Sequence, residues 1–382
     1  MNEYIRVGNR TLRLGITTGG CAALATKAAV RYMLEGSCPD EVSFVMGNGM
    51  EVTEPVFESG SDDGAFYAAI KKDAGDDPDV TDGMLIFAKV SEAEGNGVTI
   101  DGGVGVGRVT KPGLDQPVGN AAINSGPRAL IERAALEAYE ECGRSADEAG
   151  LSIEIYVPGG DEVAKKTFNP NLGIEGGISI LGTTGIEEPM SEKAMIDSIR
   201  LEIKQARLES ERLILTPGNY GYNMTRDLGL IDVEVPVVLY SGFLGVALDA
   251  AAENEFKEVL LISHIGKLVK TAGGIMNTHQ READCRRELI TAHAAAEGAG
   301  TDMCKRLMEV ATTDAAIEIL DEATGLRERV MKRVMDAVMW YMGRRTEDAY
   351  HLESVMFSNQ YGILEKSEGA DDMIAKWRGD IG

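Results

Sequence analysis

Several things are scarce in this 382-residue chain. Aromatic residues make up 5% of it, leaving few flat faces on which single-stranded bases could stack. Positive charge is in deficit: 38 Lys and Arg stand against 62 Asp and Glu, a formal net charge of −24. A field of that sign repels a phosphate backbone at long range, so nucleic acid is set aside as a partner. No apolar run reaches about 18 residues, and no membrane span is expected. The amino terminus, MNEYIRVGNRTLRLG, is too polar for a signal peptide, which makes the cytoplasm the expected compartment. Cys21, Cys38, Cys142, Cys285 and Cys304 are scattered without a CxxC pair. That is the pattern of reduced, packed thiols rather than of a disulfide framework or a zinc knuckle. Neither GxGxxG nor GxxxxGK[ST] occurs, so the common dinucleotide and P-loop phosphate cradles are missing.

Glycine, by contrast, is abundant: 45 residues, where average usage gives roughly 27. The glycines cluster in short turns, which implies many tight connections or close backbone approaches to a ligand.

The hydrophobic pattern divides the chain into residues 1–165 and 166–382. The first part mixes two periods. TTGGCAALATKAAVRYMLEG predicts a helix with Thr17 or Thr18 as its N-cap and Gly36 beyond its end. EVSFVM, GNG and EVTEPVF predict a hairpin, and AFYAAIKK, MLIFAKV and SIEIYVPGG predict further strands. NSGPRALIERAALEAYEECG predicts a second helix, with Pro127 in its first turn. The expectation is an α+β domain with a mixed sheet.

From about residue 175 the rhythm changes. GISIL, RLILT, VPVVLYS and EVLLIS are short, continuous apolar runs, as strands of a buried parallel sheet are. Helical patterns separate them, one carrying Ile196, Ile199, Ile203 and Ala206 on a single face. The expectation is a Rossmann-like parallel-sheet domain followed by amphipathic C-terminal helices, with SVMFSNQYGILEK able to add strands. Each predicted strand is followed by a small polar loop: Gly182-Thr183-Thr184-Gly185, Pro217-Gly218-Asn219-Tyr220-Gly221, Ser241-Gly242-Phe243 and Ser263-His264-Ile265-Gly266. Parallel strands bring such loops to one edge, where α/β proteins bind ligands.

Five blocks are more specific: LRLGITTGGCAALATKAA, VTKPGLDQPVGNAAINSGPR, GISILGTTGIEEPMSEKAM, TPGNYG and HIGKLVKTAGGIMNTHQREAD. Together, and in this order, the chain resembles the CbiD family, the C-1 methyltransferases of cobalt-precorrin-5B in anaerobic cobalamin synthesis. It departs from the family at Gly20, Gly242 and Ser263, and in one proline missing from NAAINSGPR. The resemblance implies methyl transfer from S-adenosylmethionine to carbon 1 of a cobalt-containing tetrapyrrole, giving cobalt-precorrin-6A, with the cobalt carried by the substrate and not by the protein. A nucleotide-dependent small-molecule enzyme and a non-catalytic tetrapyrrole-binding protein are the rival readings, and homo-oligomer formation is left open.

Such a displacement needs alignment more than a protein nucleophile. Gly182, Thr183, Thr184, Gly185, Glu187, Glu188, Gly218 and Asn219 are the expected cofactor contacts, although Glu187 and Glu188 also suit a helix dipole as first-turn acids. Lys111, Arg128, Lys267, Lys270 and Arg281 are the expected partners for the tetrapyrrole's carboxylates. His264 and His279 are the expected acid–base groups, with capping or packing as the alternative for each.

Overall fold

The computed structural model describes residues 3–7, 10–167 and 169–379. They divide into two compact units, residues 1–192 and 193–382. Residues 166–192, grouped with the second domain on their apolar rhythm, therefore lie in the first unit.

In the first unit, helix α1 (Thr18–Glu35) opens on Thr17, whose hydroxyl accepts from the Gly20 N–H at 3.0 Å, and closes on Gly36 at φ 78°. Both signals stand in the sequence at those positions. A five-stranded sheet follows from β1 (Glu58–Asp62), β2 (Ala65–Lys71), β3 (Leu85–Glu92), β4 (Gly97–Gly102) and β5 (Gly150–Tyr156). Its order is β1-β2-β3-β5-β4, with the β5–β4 pair parallel and the others antiparallel. The sheet is mixed, as the alternating pattern implied. Helix α2 (Ser125–Glu141) shares one core with α1 and the sheet, through small residues such as Ala22, Ala25, Ala134 and Ala138. Small side chains let the helices approach closely. Lys27, 4% exposed, ties them by ion pairs to Glu137 (2.6 Å) and Glu141 (2.8 Å).

The second unit begins in helix α3 (Glu192–Glu209), whose buried Ile199, Ile203 and Ala206 confirm the predicted face. Its sheet is built from β6 (Arg212–Thr216), β7 (Val237–Leu239), β8 (Glu258–His264), β9 (His351–Ser358) and β10 (Gly362–Lys366), in the order β7-β6-β8-β9-β10. The first four strands are parallel and β10 is antiparallel to β9. Alternate residues enter different cores. Leu213, Leu215, Val259 and Leu261 pack on one face, while Ile214, Leu260 and Ile262 pack on the other with Trp377 and Met373. Two covered faces explain why these strands read as unbroken apolar runs.

One predicted strand is not in this sheet. GISIL lies in the first unit, where Gly177–Ile178 pairs parallel with Gly105–Val106. The parallel strand it was expected to supply comes instead from β9, near the C-terminus. The apolar run marks burial, which holds for residues 177–180 in this other environment, while Leu181 is exposed.

Candidate functional site

The glycine-threonine turn at 182–185 lies in the first unit, where it packs against the start of α1 and leaves Thr183 exposed. Flanking it, Ile186–Glu187 pairs antiparallel with Gly15–Ile16. The turn then threads the start of α1: Thr17 N–H donates to Gly185 O (3.1 Å), Gly19 N–H to Leu181 O (2.8 Å), and Leu181 N–H to the Thr18 hydroxyl (2.8 Å). Thr184 O accepts from Gly47 N–H at 2.8 Å. Gly182 and Gly185 have φ of +103° and +84°, and a Cβ on Gly182 would overlap the Thr17 side chain. These glycines serve close packing, a use that composition does not separate from ligand approach. The expectation that Gly182, Thr183, Thr184 and Gly185 line the carboxyl edge of the parallel sheet is therefore corrected.

Glu187 is also committed. It lies 3.6 Å from the fully buried Lys72, whose ammonium is 2.6 Å from Asp79. Burial raises the Glu187 pKa, with Lys72 opposing. In Asp79 burial pushes the same way, but hydrogen bonds from Lys72 and Thr81 hold its carboxyl below the ordinary value. Glu188 is exposed. Cys21, beside these residues in α1, has its thiol pushed up to about 12 by burial, so it offers no thiolate at neutral pH.

Two of the expected substrate cations are likewise in the first unit. Arg128 donates from Nε to Ile123 O (2.9 Å) and from a terminal nitrogen to Ile100 O (2.8 Å). It joins α2 to the edge strand β4. Lys111 is exposed, its stem beside Gly173.

The second unit holds a cleft of about 820 Å³ at the carboxyl ends of its parallel strands. That volume falls within the ordinary range for small-molecule sites. Residues 217–221 after β6, Ser241 after β7, His264, Gly266 and Lys267 at the end of β8 and Asn359 after β9 line it. Three helices begin at its wall: α4 (Asn219–Asp227), α5 (Ile265–Thr271) and α6 (Thr313–Asp321). Gly218 and Asn219 are thus at the predicted edge. Gly218 has extended backbone (φ 164°), and a Cβ there would meet nothing within 4 Å. Neither φ nor packing demands glycine at 218. Three residues on, a Cβ at Gly221 would overlap the Thr216 hydroxyl, so that glycine seats α4 on the sheet.

His264 ends β8 and caps α5, its Nδ1 accepting from the Gly266 N–H at 3.0 Å. A backbone N–H only donates, so the neutral ring carries its proton on Nε2. Burial lowers its pKa, partly opposed by Asp314. His264 is therefore a neutral hydrogen-bond donor whose free lone pair is already used. In the exposed His279, Nδ1 accepts from the Arg281 N–H at 3.2 Å. Sequence reading offered both as proton acceptors; the structure engages both acceptor nitrogens with backbone.

Lys267 and Lys270 both line the cleft. Lys267 Nζ donates to Ser241 O (2.8 Å); Lys270, 2% exposed, donates to Thr278 O (3.1 Å) and Ala283 O (2.7 Å). Among the described residues neither makes an ion pair, in a chain with 62 acidic residues. Burial lowers both pKa values, and the field of Lys270 lowers Lys267 further. Arg281 is exposed beside Glu282 (3.4 Å) and is not in the lining.

The cleft also contains Tyr220 of the predicted loop and four groups that motifs do not single out: Thr278, Arg286, Asp314 and Asn359. The Tyr220 ring lies 6.4 Å from that of His264, and Phe357 meets His264 edge-on at 5.5 Å. Asp314 sits in the first turn of α6 behind its cap Thr312. The only sequence trace of it is the capping pattern Thr312-Thr313-Asp314, which says nothing of a cleft.

This is a mixed α/β protein with a polar cleft at the carboxyl edge of a parallel sheet. By sequence it belongs to the CbiD family: residues 5–189 match the family's "CbiD" model and residues 277–368 its "CbiD, C-terminal domain" model. Cobalt-precorrin-5B C(1)-methyltransferase of Ruminiclostridium cellulolyticum is 42% identical over 380 residues, 98% of this chain and 97% of that one. The protein of the same name from Alkaliphilus metalliredigens is 41% identical over 375 residues, again 98% and 97%. A crystal structure of the cobalamin biosynthesis protein cbiD from Archaeoglobus fulgidus is 29% identical, covering 73% of this chain and 86% of that one with a TM-score of 0.40.

Proposed function

We propose that this protein methylates carbon 1 of cobalt-precorrin-5B with S-adenosylmethionine, giving cobalt-precorrin-6A in cobalamin biosynthesis, and that the cleft of the second unit holds the reactants. The names of its full-length relatives support the reaction. The observation that carries the location is the pair Lys267 and Lys270, cations that donate to carbonyl oxygens and, among the described residues, make no ion pair. Lys270 is buried and Lys267 half-buried, and lysines so placed are rarely left without an ion pair, because an unpaired buried charge is costly. A substrate rich in acetate and propionate groups supplies the missing anions, and an overall charge of −24 makes such local cations necessary.

The sulfonium donor supplies an electrophilic methyl, and its transfer to a ring carbon leaves a neutral thioether. The chain's task is alignment, which is worth up to roughly 7–11 kcal/mol in well-oriented intramolecular reactions. Gly218 leaves room for the donor to approach backbone, and the Asn219 amide and the His264 Nε2–H provide polar contacts. With both histidine Nδ1 atoms engaged, neither ring is assigned as the proton acceptor.

Incubation with methyl-labelled S-adenosylmethionine and cobalt-precorrin-5B tests the reading. Label on the macrocycle is the expected result. Tetrapyrrole binding without label transfer overturns the enzyme and leaves a carrier.

A further inference from the structure

Asp314 is the single acidic residue among those lining the cleft, whose other charged groups are Lys267, Lys270 and Arg286. Its Oδ1 accepts from the Ser358 hydroxyl at 2.7 Å. That hydroxyl oxygen in turn accepts from the backbone N–H groups of Gln360 (3.1 Å) and Tyr361 (3.3 Å). Its lone pairs are therefore taken, and its proton is directed at Asp314. The carboxylate is held in one orientation by a residue that is itself 1% exposed. Among the described residues Asp314 makes no ion pair, and no second hydrogen bond is made to its other oxygen.

The charges in the cleft are sorted. Lys270 acts on Lys267, and Asp284, outside the lining, acts on Lys270, whereas Asp314 acts on His264. An acid substrate gains nothing from a fixed carboxylate, since like charges repel. A cationic group does gain, because its attraction in a partly desolvated site is stronger than in water. First-turn placement in α6 accounts for an acid at this position through the helix dipole. It does not account for the tether that aims the side chain, nor for the absence of a neighbouring cation.

We infer that Asp314 binds a cationic group of the methyl donor, fixing which end of the cleft the donor occupies while the lysines hold the acid substrate. This rests on the proposed function. The donor has two such groups, the sulfonium and the α-ammonium. S-adenosylhomocysteine keeps the ammonium and lacks the sulfonium charge, so the two ligands separate the sources.

Calorimetric titration of wild type and Asp314→Asn with both ligands is the test. Asparagine keeps the volume and can still accept from Ser358, so the fold is retained, and the melting temperature checks this. Loss of about tenfold or more in S-adenosylmethionine affinity is expected. An equal loss for S-adenosylhomocysteine assigns the ammonium; a loss confined to the sulfonium ligand assigns the sulfonium. Affinity for the tetrapyrrole is expected to be unchanged or tighter, a response that general loosening of the cleft does not produce. Donor affinity within twofold of wild type overturns the inference. Failure of wild type itself to bind S-adenosylmethionine overturns the underlying reading instead.

Discussion

Residues 182–185 in the first unit and 217–221 in the second are both short, polar and rich in glycine, and each follows an apolar run. In the first, the Thr17 and Gly47 N–H groups take the carbonyls of Gly185 and Thr184, and the Thr17 side chain fills the space beside Gly182. In the second, Gly221 is packed in the same manner, but the space beside Gly218 is empty and opens on the cleft. Glycine thus has two uses here, to admit another part of the chain and to leave room for something that is not the chain. Composition does not distinguish them; what stands opposite the missing Cβ does.

The strongest way to break this comparison is to add the same side chain at both places. Gly182→Val introduces a steric overlap and a branched residue at φ +103°. A destabilisation of roughly 3 kcal/mol or more is expected from overpacking and left-handed strain together, read as a lower urea midpoint. Gly218→Val requires no change of backbone region and its Cβ meets nothing within 4 Å, so stability should stay within about 0.5 kcal/mol. Its donor affinity should nevertheless fall about tenfold or more in calorimetry, because the valine stands in the cleft. Wild-type stability in the first variant, or wild-type affinity in the second, would reverse the assignment of the two turns.

A smaller effect sharpens the contrast between groups that serve the fold and groups that serve a ligand. Burial lowers the Lys267 pKa from its ordinary 10.5, with Lys270 adding to the shift. The folded protein therefore loses this proton at lower pH than the unfolded chain. Across that window rising pH relieves the cost of burying a charge, and this residue's contribution to stability increases. Binding of carboxylates runs the other way, since the cation disappears. Affinity for the tetrapyrrole should decline with pH from below the ordinary lysine range, while Lys267→Arg, charged throughout, should hold its affinity to higher pH. Parallel profiles for the two proteins would remove Lys267 from the binding surface.

Much of the framework was legible in the sequence. Thr17 and Gly36 delimit α1 because capping chemistry is local, and RLILT and EVLLIS read as parallel strands because both faces of that sheet are covered. What was not legible depends on partners distant in the chain. GISIL has the composition of a sheet strand, and only its pairing with Gly105–Val106 assigns it to the first unit. β9 arrives from residues 351–358, bringing Asn359 to the cleft and Ser358 to Asp314. Arg128 has the look of an anion grip, yet its guanidinium is spent on the carbonyls of Ile123 and Ile100. Lys267 and Lys270 follow directly on the loop of β8, and that local connection is why a sequence pattern places them at the cleft.

The smallest expected effect concerns His264, which the sequence leaves open as base or cap and the structure places as a cap. Burial favours its neutral ring, against the pull of Asp314, so the folded pKa lies below the ordinary 6.5. Between that lowered value and 6.5 the unfolded chain binds more protons, and stability falls as the solution is acidified through this window. Protonation at Nδ1 also removes the acceptor used by the Gly266 N–H. Asparagine is among the best N-cap residues and does not titrate there. His264→Asn should therefore match wild type at neutral pH to within about 0.5 kcal/mol and lose the dependence between the two pKa values, as followed by urea unfolding across that range. Its turnover should remain within about tenfold of wild type, since what is lost is one polar contact from Nε2. A general base leaves a different signature, a fall of about a hundredfold or more in turnover on removal. That result would return His264 to the reaction and require Nδ1 to release its backbone partner when the substrate arrives.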